Sequence, residues 1–306
     1  MNASPRLFAR LTFVVLLSTV LILDSCKKSS DTVLSLADTQ NVNGESAADA
    51  FIGDATDMAT LAVGSISSST YTGRIEAGID TLSNLDSRFS CATFTLARTG
   101  DKVAPAGTIT IDFSPSTKPE GCTDARGVTR KGQIIIKYSG KRFTSGSSMI
   151  TTFNNYTRNG VKIEGTHTLT NAQTALTDPP RYTVVLTGGK LTFTDGKVIT
   201  REQSFTYIWQ RAANPTQDRL LVLSGGTANG TTKAGNTYTM TIQTDCYYSR
   251  PCAIGNKTYI PIQGSKLFVA NNVEYTVDYG TGTCDNDVRV TVNGNTKTIT
   301  VNPEGN

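Results

Sequence analysis

One histidine, scattered carboxylates, one aromatic row and six cysteines bound the side-chain chemistry open to this chain. A Ser-His-Asp or Cys-His arrangement would need His167 as its base. His167 shares strand parity with Val161 and Ile163, so a packed, hydrogen-bonded imidazole is expected rather than a catalytic one. Glycoside hydrolysis needs two facing carboxylates about 5–9.5 Å apart. Glu164 and Glu202 fall in strand-like runs, but nothing in their spacing pairs them. Asp278, Asp285 and Asp287, near Gly280 and Gly282, offer oxygen ligands for a calcium site without the spacing of an EF-hand loop; a Gly-rich hairpin explains the same residues. Phe205, Tyr207 and Trp209 share one face of a strand. Exposed, such a row is a platform for stacking a ligand such as a sugar ring; buried, it fills a core. No phosphate-binding loop occurs, no basic cluster marks a nucleic-acid surface, and no cofactor is implied.

The cysteines are Cys26, Cys91, Cys122, Cys246, Cys252 and Cys284. Zinc is not expected, because Cys ligands two to four residues apart are missing. An internal repeat suggests disulfides. Ile109-Thr110-Ile111-Asp112-Phe113 precedes Cys122, and Tyr275-Thr276-Val277-Asp278-Tyr279 precedes Cys284. Cys91 lies 31 positions before Cys122, and Cys252 lies 32 before Cys284, against 38 for Cys246. The matching offsets favour Cys91–Cys122 and Cys252–Cys284, with Cys246 free.

The elements that must position these residues are mostly strands. From about Tyr71 the apolar residues recur with period two. Candidate strands are Ile109–Phe113, Gln133–Tyr138, Met149–Tyr156, Val161–Leu169, Tyr182–Leu186, Val198–Trp209, Arg219–Leu223, Thr237–Gln243, Val273–Tyr279, Val288–Val292 and Lys297–Val301. Asn159-Gly160, Asp195-Gly196 and Asn293-Gly294 between such runs predict two-residue type I′ turns, with Gly235-Asn236 and Asn271-Asn272 as softer versions. Sequential hairpins and the lack of a βαβ pattern predict an antiparallel meander. Hydrophobic residues make up 38% of the chain, which suits a sheet with one wet face that must curl or bury its apolar side under loops and a helix. That helix is predicted over 46–66, with Ser46 as cap, Asp49 three residues on, and Ala47, Ala50, Phe51, Ala55, Met58, Leu61 and Ala62 on one face. Asp178-Pro179-Pro180 is a candidate break between two halves of the 71–306 β-domain.

The N-terminus gives an address. Arg6 and Arg10 precede the apolar run Leu11–Leu23, 13 residues long, which is short of the ~20 a spanning helix needs. Leu23-Asp24-Ser25-Cys26 then resembles the lipobox of bacterial lipoproteins. The resemblance implies a signal peptide over 1–25, cleavage before Cys26 and acylation of that Cys, palmitate included. Residues 26–45 read as a polar, flexible tether. The formal net charge of +4 includes Arg6 and Arg10, which cleavage removes.

Ser25-Cys26-Lys27-Lys28, the run from Asn159 to Thr166 and the run from Asp278 to Asn286 together resemble the β-rich lipoproteins abundant in the Bacteroidota. The resemblance covers most of the mature chain and implies lineage and location: the outer membrane, lipid-anchored, on its periplasmic or its surface face. It brings no activity. Asp31-Thr32-Val33 and Asp80-Thr81-Leu82 resemble the short O-glycosylation signal of such bacteria. The sequence therefore leads to an all-β antiparallel meander, forming a large curved sheet or an open barrel or sandwich, with one short N-terminal helix. It leads to an anchored, non-catalytic binding or scaffolding protein whose partners are the membrane and a glycan or envelope protein. A glycan-acting enzyme and a structural subunit of a surface assembly are the alternatives.

Overall fold

The computed structural model describes residues 34–68, 86–101, 103–175 and 177–302. The signal, residues 26–33 of the tether with Cys26, and both O-glycosylation motifs lie outside them.

One long helix, α1 (Leu36–Ser68), is followed by fifteen antiparallel strands in a single sheet. They are β1 (Thr93–Arg98), β2 (Ala106–Asp112), β3 (Cys122–Thr123), β4 (Thr129–Ser139), β5 (Ser148–Arg158), β6 (Val161–Asn171), β7 (Arg181–Thr192) and β8 (Val198–Gln210). Then come β9 (Arg219–Val222), β10 (Thr227–Thr231), β11 (Thr237–Ser249), β12 (Gln263–Ala270), β13 (Val273–Thr281), β14 (Asp287–Val292) and β15 (Asn295–Thr300). A short helix, α2 (Arg250–Asn256), links β11 to β12, capped by Ser249 Oγ accepting from the Cys252 amide at 3.4 Å. The strand order is sequential apart from β3, which pairs with β4, and β9, which fills the gap between β8 and β11 in line with β10. Among the described residues β1 and β15 each pair on one side only, so the sheet is open.

The sheet curls around α1. Alternation along β6 shows how: Val161, Ile163, His167 and Leu169 are buried while Lys162, Glu164 and Thr168 are not. Gly165, with φ 125°, marks a register shift against β7 and keeps this parity intact on both sides. The helix is buried on nearly every side from Ala47 to Val63, so it is the axis of the core and not a surface element. A helix enclosed in this way needs apolar or paired side chains all round. Phe51 meets Phe193 edge-on at 6.3 Å, and His167 closes on Thr56 from β6.

Four expectations need correction. First, α1 begins at Leu36, so the last ten residues assigned to the tether are helical. The Ser-x-x-Asp motif occurs twice, and the capping box is built on the earlier copy. The Asp38 amide donates to Ser35 Oγ at 3.1 Å and the Ser35 amide to Asp38 Oδ2 at 2.9 Å. Ser46 lies inside the helix and is buried. Tertiary contacts extend the helix through its polar first turns: Asn41 donates to Tyr275 Oη at 3.3 Å, and Tyr275 donates to Asp38 Oδ1 at 2.8 Å. Second, the helix spans 33 residues, extending beyond the expected 46–66 at both ends. Third, residues 178–180 are a loop and not a break, because β6 and β7 pair across it from Asn171↔Tyr182 onward. Fourth, Asp195-Gly196 is not a type I′ turn. Only Gly196 has positive φ (79°), and the Phe193 amide donates to Lys197 O at 2.9 Å, giving a three-residue loop. Asp195 Oδ1 accepts from the Lys197 amide at 3.1 Å, which holds Asp195 out of the left-handed region. Asn159-Gly160, Asn271-Asn272 and Asn293-Gly294 do have positive φ at both positions, as type I′ requires.

Both disulfides form as the repeat predicts. Cys91–Cys122 and Cys252–Cys284 are bonded, and Cys246 is free and buried.

Candidate functional site: a buried ion-pair lattice and its cavity

The inward-facing side chains are not all apolar. Four carboxylates of α1 meet cations projecting from the sheet. At the N-terminal end Arg201 of β8 reaches Asp49 Oδ1 at 2.9 Å and Glu45 Oε1 at 3.3 Å. Lys266 of β12 reaches Glu45 Oε1 at 3.2 Å and also pairs with Asp49 Oδ2, which accepts from Tyr248 Oη at 2.8 Å. In the middle, Asp54 takes Arg88 at 2.8 Å and Arg130 at 2.8 Å, with Arg158 Nε at 3.6 Å. Arg88 also meets Asp86 at 2.6 Å, and Arg130 meets Asp124 at 2.8 Å. Further along, Asp57 holds Arg88 at 2.5 Å and Arg250 of α2 at 2.6 Å, and Arg250 meets Asp218 at 3.2 Å. Arg88, Arg130, Arg158, Arg201 and Lys266 are among the most buried large side chains of the protein.

Burial alone would raise the carboxyl pKa values. For Asp49 the Lys266 and Arg201 charges outweigh it. For Asp54, Arg130, Arg158 and Arg88 do so, and for Asp57, Arg250 and Arg88 do so. All three therefore stay below the ordinary carboxylate range and ionised at neutral pH. A buried pair does little for net stability relative to apolar packing, but breaking one leaves an uncompensated charge. The lattice thus fixes the rotation and height of α1. Turning it by one residue, about 100°, would bury these carboxylates away from their cations.

A cavity of about 80 Å³ lies beside the lattice, between α1 and strands β6, β8, β9 and β11. That is room for a few water molecules or a very small ligand. Phe205, Tyr207 and Trp209 form one wall, and Thr56, His167 and Gln203 add polar groups. The aromatic row therefore faces inward. Phe205 and Trp209 are buried and Tyr207 is half-buried, so they do not form an exposed stacking platform. Trp209 is tied down by its Nε1–H, which donates to Asp218 Oδ2 at 2.8 Å.

His167 is buried, with Nδ1 3.2 Å from Thr56 Oγ1. Burial pulls its pKa down to about 4, so the imidazole is neutral at physiological pH and a weak base. A hydroxyl and an imidazole in contact are two parts of a nucleophile–base–orienter set. No third group orients the ring among the described hydrogen bonds.

The other candidates are dispersed. Glu164 lies on the outer side of β6, paired with Lys162 at 2.8 Å and Lys190 at 3.5 Å. Glu202 is exposed and accepts from the Gly188 amide at 2.7 Å. Asp278, Asp285 and Asp287 do not converge. Asp278 pairs with Arg289 at 2.5 Å, Asp285 caps the Asp287 amide at 3.0 Å, and Asp287 accepts from Thr300 Oγ1 at 2.5 Å. Among the described residues no group of three His, Cys, Asp or Glu could hold a metal ion, and no helix is long and apolar enough to cross a membrane.

The lattice does not show as a basic cluster in the sequence, because its cations are scattered along the chain and converge only in the fold. A usable signal was present. Arg201 shares the parity of Ile199 and Phe205, and Lys266 that of Phe268 and Ala270, which marks both as inward-facing. With this geometry in view, comparison with known proteins adds no relative: no protein-family model, no curated protein and no solved structure matches the chain.

Proposed function

We propose that this chain is a lipid-anchored envelope protein, acylated at Cys26, that acts by binding or scaffolding and not by catalysis. The apolar run ending at Cys26 supports the address, and the outer membrane is the proposed location. The observation that carries the mode of action is the locked core. Buried charge is committed to holding α1 inside the sheet, which gives a rigid frame with connecting loops and an exposed outer face, the arrangement binding proteins use. The partner is a glycan or another envelope protein.

Two experiments test this. Globomycin should trap a larger precursor, and Cys26→Ala should release the protein from membranes; an unmodified, soluble wild-type protein would refute the anchor. A glycan array and a hydrolysis assay on the same purified protein test the mode of action. Binding without turnover supports the proposal. Turnover abolished by Glu164→Gln or Glu202→Gln would replace it with the enzyme reading.

A further inference from the structure

At the C-terminal end of α1 the pairing of charges stops. Arg142 and Phe143 lie in the loop between β4 and β5, and Arg211 follows β8. The Arg142 guanidinium stands 4.5 Å from the Phe143 ring centroid and 4.7 Å from that of Trp209, and Arg211 stands 4.4 Å from Phe143. Among the described residues neither arginine has a carboxylate within 4.0 Å, in contrast to Arg88, Arg130 and Arg201. Arg142 Nη2 is buried with no hydrogen-bond partner. Burial and the nearby Arg250 charge pull the Arg142 pKa down to about 10, as expected of an under-compensated cation. Phe143 has φ 65°, a conformation that bulky residues rarely adopt and that collects at ligand sites.

A cavity of about 340 Å³ opens beside this loop, within the size range of small-ligand pockets. Val63, Ile66, Ala106 and Tyr138 give it apolar walls, Lys141 and Arg142 bring positive charge, and among the described residues no acidic side chain lines it. Gly64 of α1 makes room for the arginine, since a Cβ there would stand 2.0 Å from Arg142 Nη1.

We propose that this is a binding site for an amphiphilic organic anion. A carboxylate or phosphate-ester head would sit on the Arg142 guanidinium with Lys141 at the rim, and an apolar body would lie against Val63, Ile66 and Tyr138. A planar guanidinium offers such a head two parallel N–H donors, and the ring stacking fixes its plane. The site is separate from the cavity at the aromatic row and does not rest on the anchor reading.

Trp209 is the only tryptophan and touches Arg142, so its fluorescence reports on the site. The full-length protein in buffer, without lipid, is titrated with decanoate, decyl phosphate, decanol and inorganic phosphate. Decanoate or decyl phosphate should give a saturable change, and whichever binds more tightly identifies the head group. Decanol and inorganic phosphate should each bind at least about tenfold more weakly, the scale of a lost charge-assisted hydrogen bond. Arg142→Gln should weaken the anion to the level of decanol. Arg142→Lys, which keeps the charge but not the planar fork, should weaken it less. Gly64→Ala is the fold-independent check: it displaces the flexible end of Arg142, so binding should fall about tenfold while the thermal midpoint is unchanged or raised, as Ala in place of Gly favours a helix. No saturable change with either anion would overturn the proposal. So would decanol or inorganic phosphate binding as tightly as the anions, or undiminished binding in both Arg142→Gln and Gly64→Ala.

Discussion

Replacing Asp54 with Asn removes the central charge of the lattice while keeping its shape. Asp54 and its partners Arg88, Arg130 and Arg158 are all at most 1% exposed, at 2.8, 2.8 and 3.6 Å. At an effective dielectric constant of about 20, one contact at this distance amounts to roughly 6 kcal/mol before desolvation. Asp86 and Asp124 keep part of the compensation for Arg88 and Arg130, so the net loss should lie in the range of about 3–5 kcal/mol measured for broken buried pairs. For a domain of this size that is a fall in Tm of about 6–20 °C. The control is Asp278→Asn, which breaks a largely exposed pair with Arg289 and should cost less than about 1 kcal/mol. Thermal melts followed by circular dichroism check both. The carboxyl of Asp54 is held below its unfolded value, so its contribution is present above about pH 4 and is lost as pH falls through the folded value. The Asn variant should therefore also show a shallower loss of stability in acid. A melt of Asp54→Asn within about 2 °C of wild type, no larger an effect than the control, would refute the claim that the lattice holds α1 in place.

Three further outcomes follow from particular residues. His167 titrates near 4 in the fold against about 6.5 unfolded, so stability should fall as pH drops below 6.5. The expected loss is about 2 kcal/mol between pH 7.5 and 5, and urea denaturation of His167→Gln should lack that component. Removing Cys91–Cys122, whose sequence separation is 31, should cost about 3–4 kcal/mol, while Cys246→Ser should leave both disulfides intact by peptide mapping without reduction. Gly230→Ala would place a Cβ 2.0 Å from the Thr200 carbonyl oxygen, so it should destabilise by about 1–3 kcal/mol and loosen the pairing of β10 with β8 in amide exchange.

All eleven candidate strands lie in the sheet, because period-two runs and Asn-Gly turns are local signals. β1, β3, β10 and β12 lie outside those candidates. Thr227-Ala228-Asn229-Gly230-Thr231 has few apolar residues of its own and is a strand because β8 and β11 pair with it on both sides. The start of α1 was misplaced for a similar reason: its first turns are polar and are held by Tyr275 of β13, far away in sequence. The disulfides were legible because the chain repeats itself around them. The cavity wall of Phe205, Tyr207 and Trp209 was legible as a row but not as inward-facing, since both sides of β8 carry polar residues. The lattice was half legible: the parity of Arg201 and Lys266 shows that they point inward, but only the tertiary fold shows that Glu45 and Asp49 answer them.

The central claim is that α1 is the axis of the folded domain, locked inside the sheet by buried charge. Amide hydrogen exchange resolved along the chain tests it most directly. The account predicts that amides from Ala47 to Ala62 exchange as slowly as those of β6 to β8 and through the same global opening, and that Asp54→Asn speeds both together. Fast exchange in α1 while β6 to β8 stay protected would mean that the helix leaves the sheet on its own, and would contradict it.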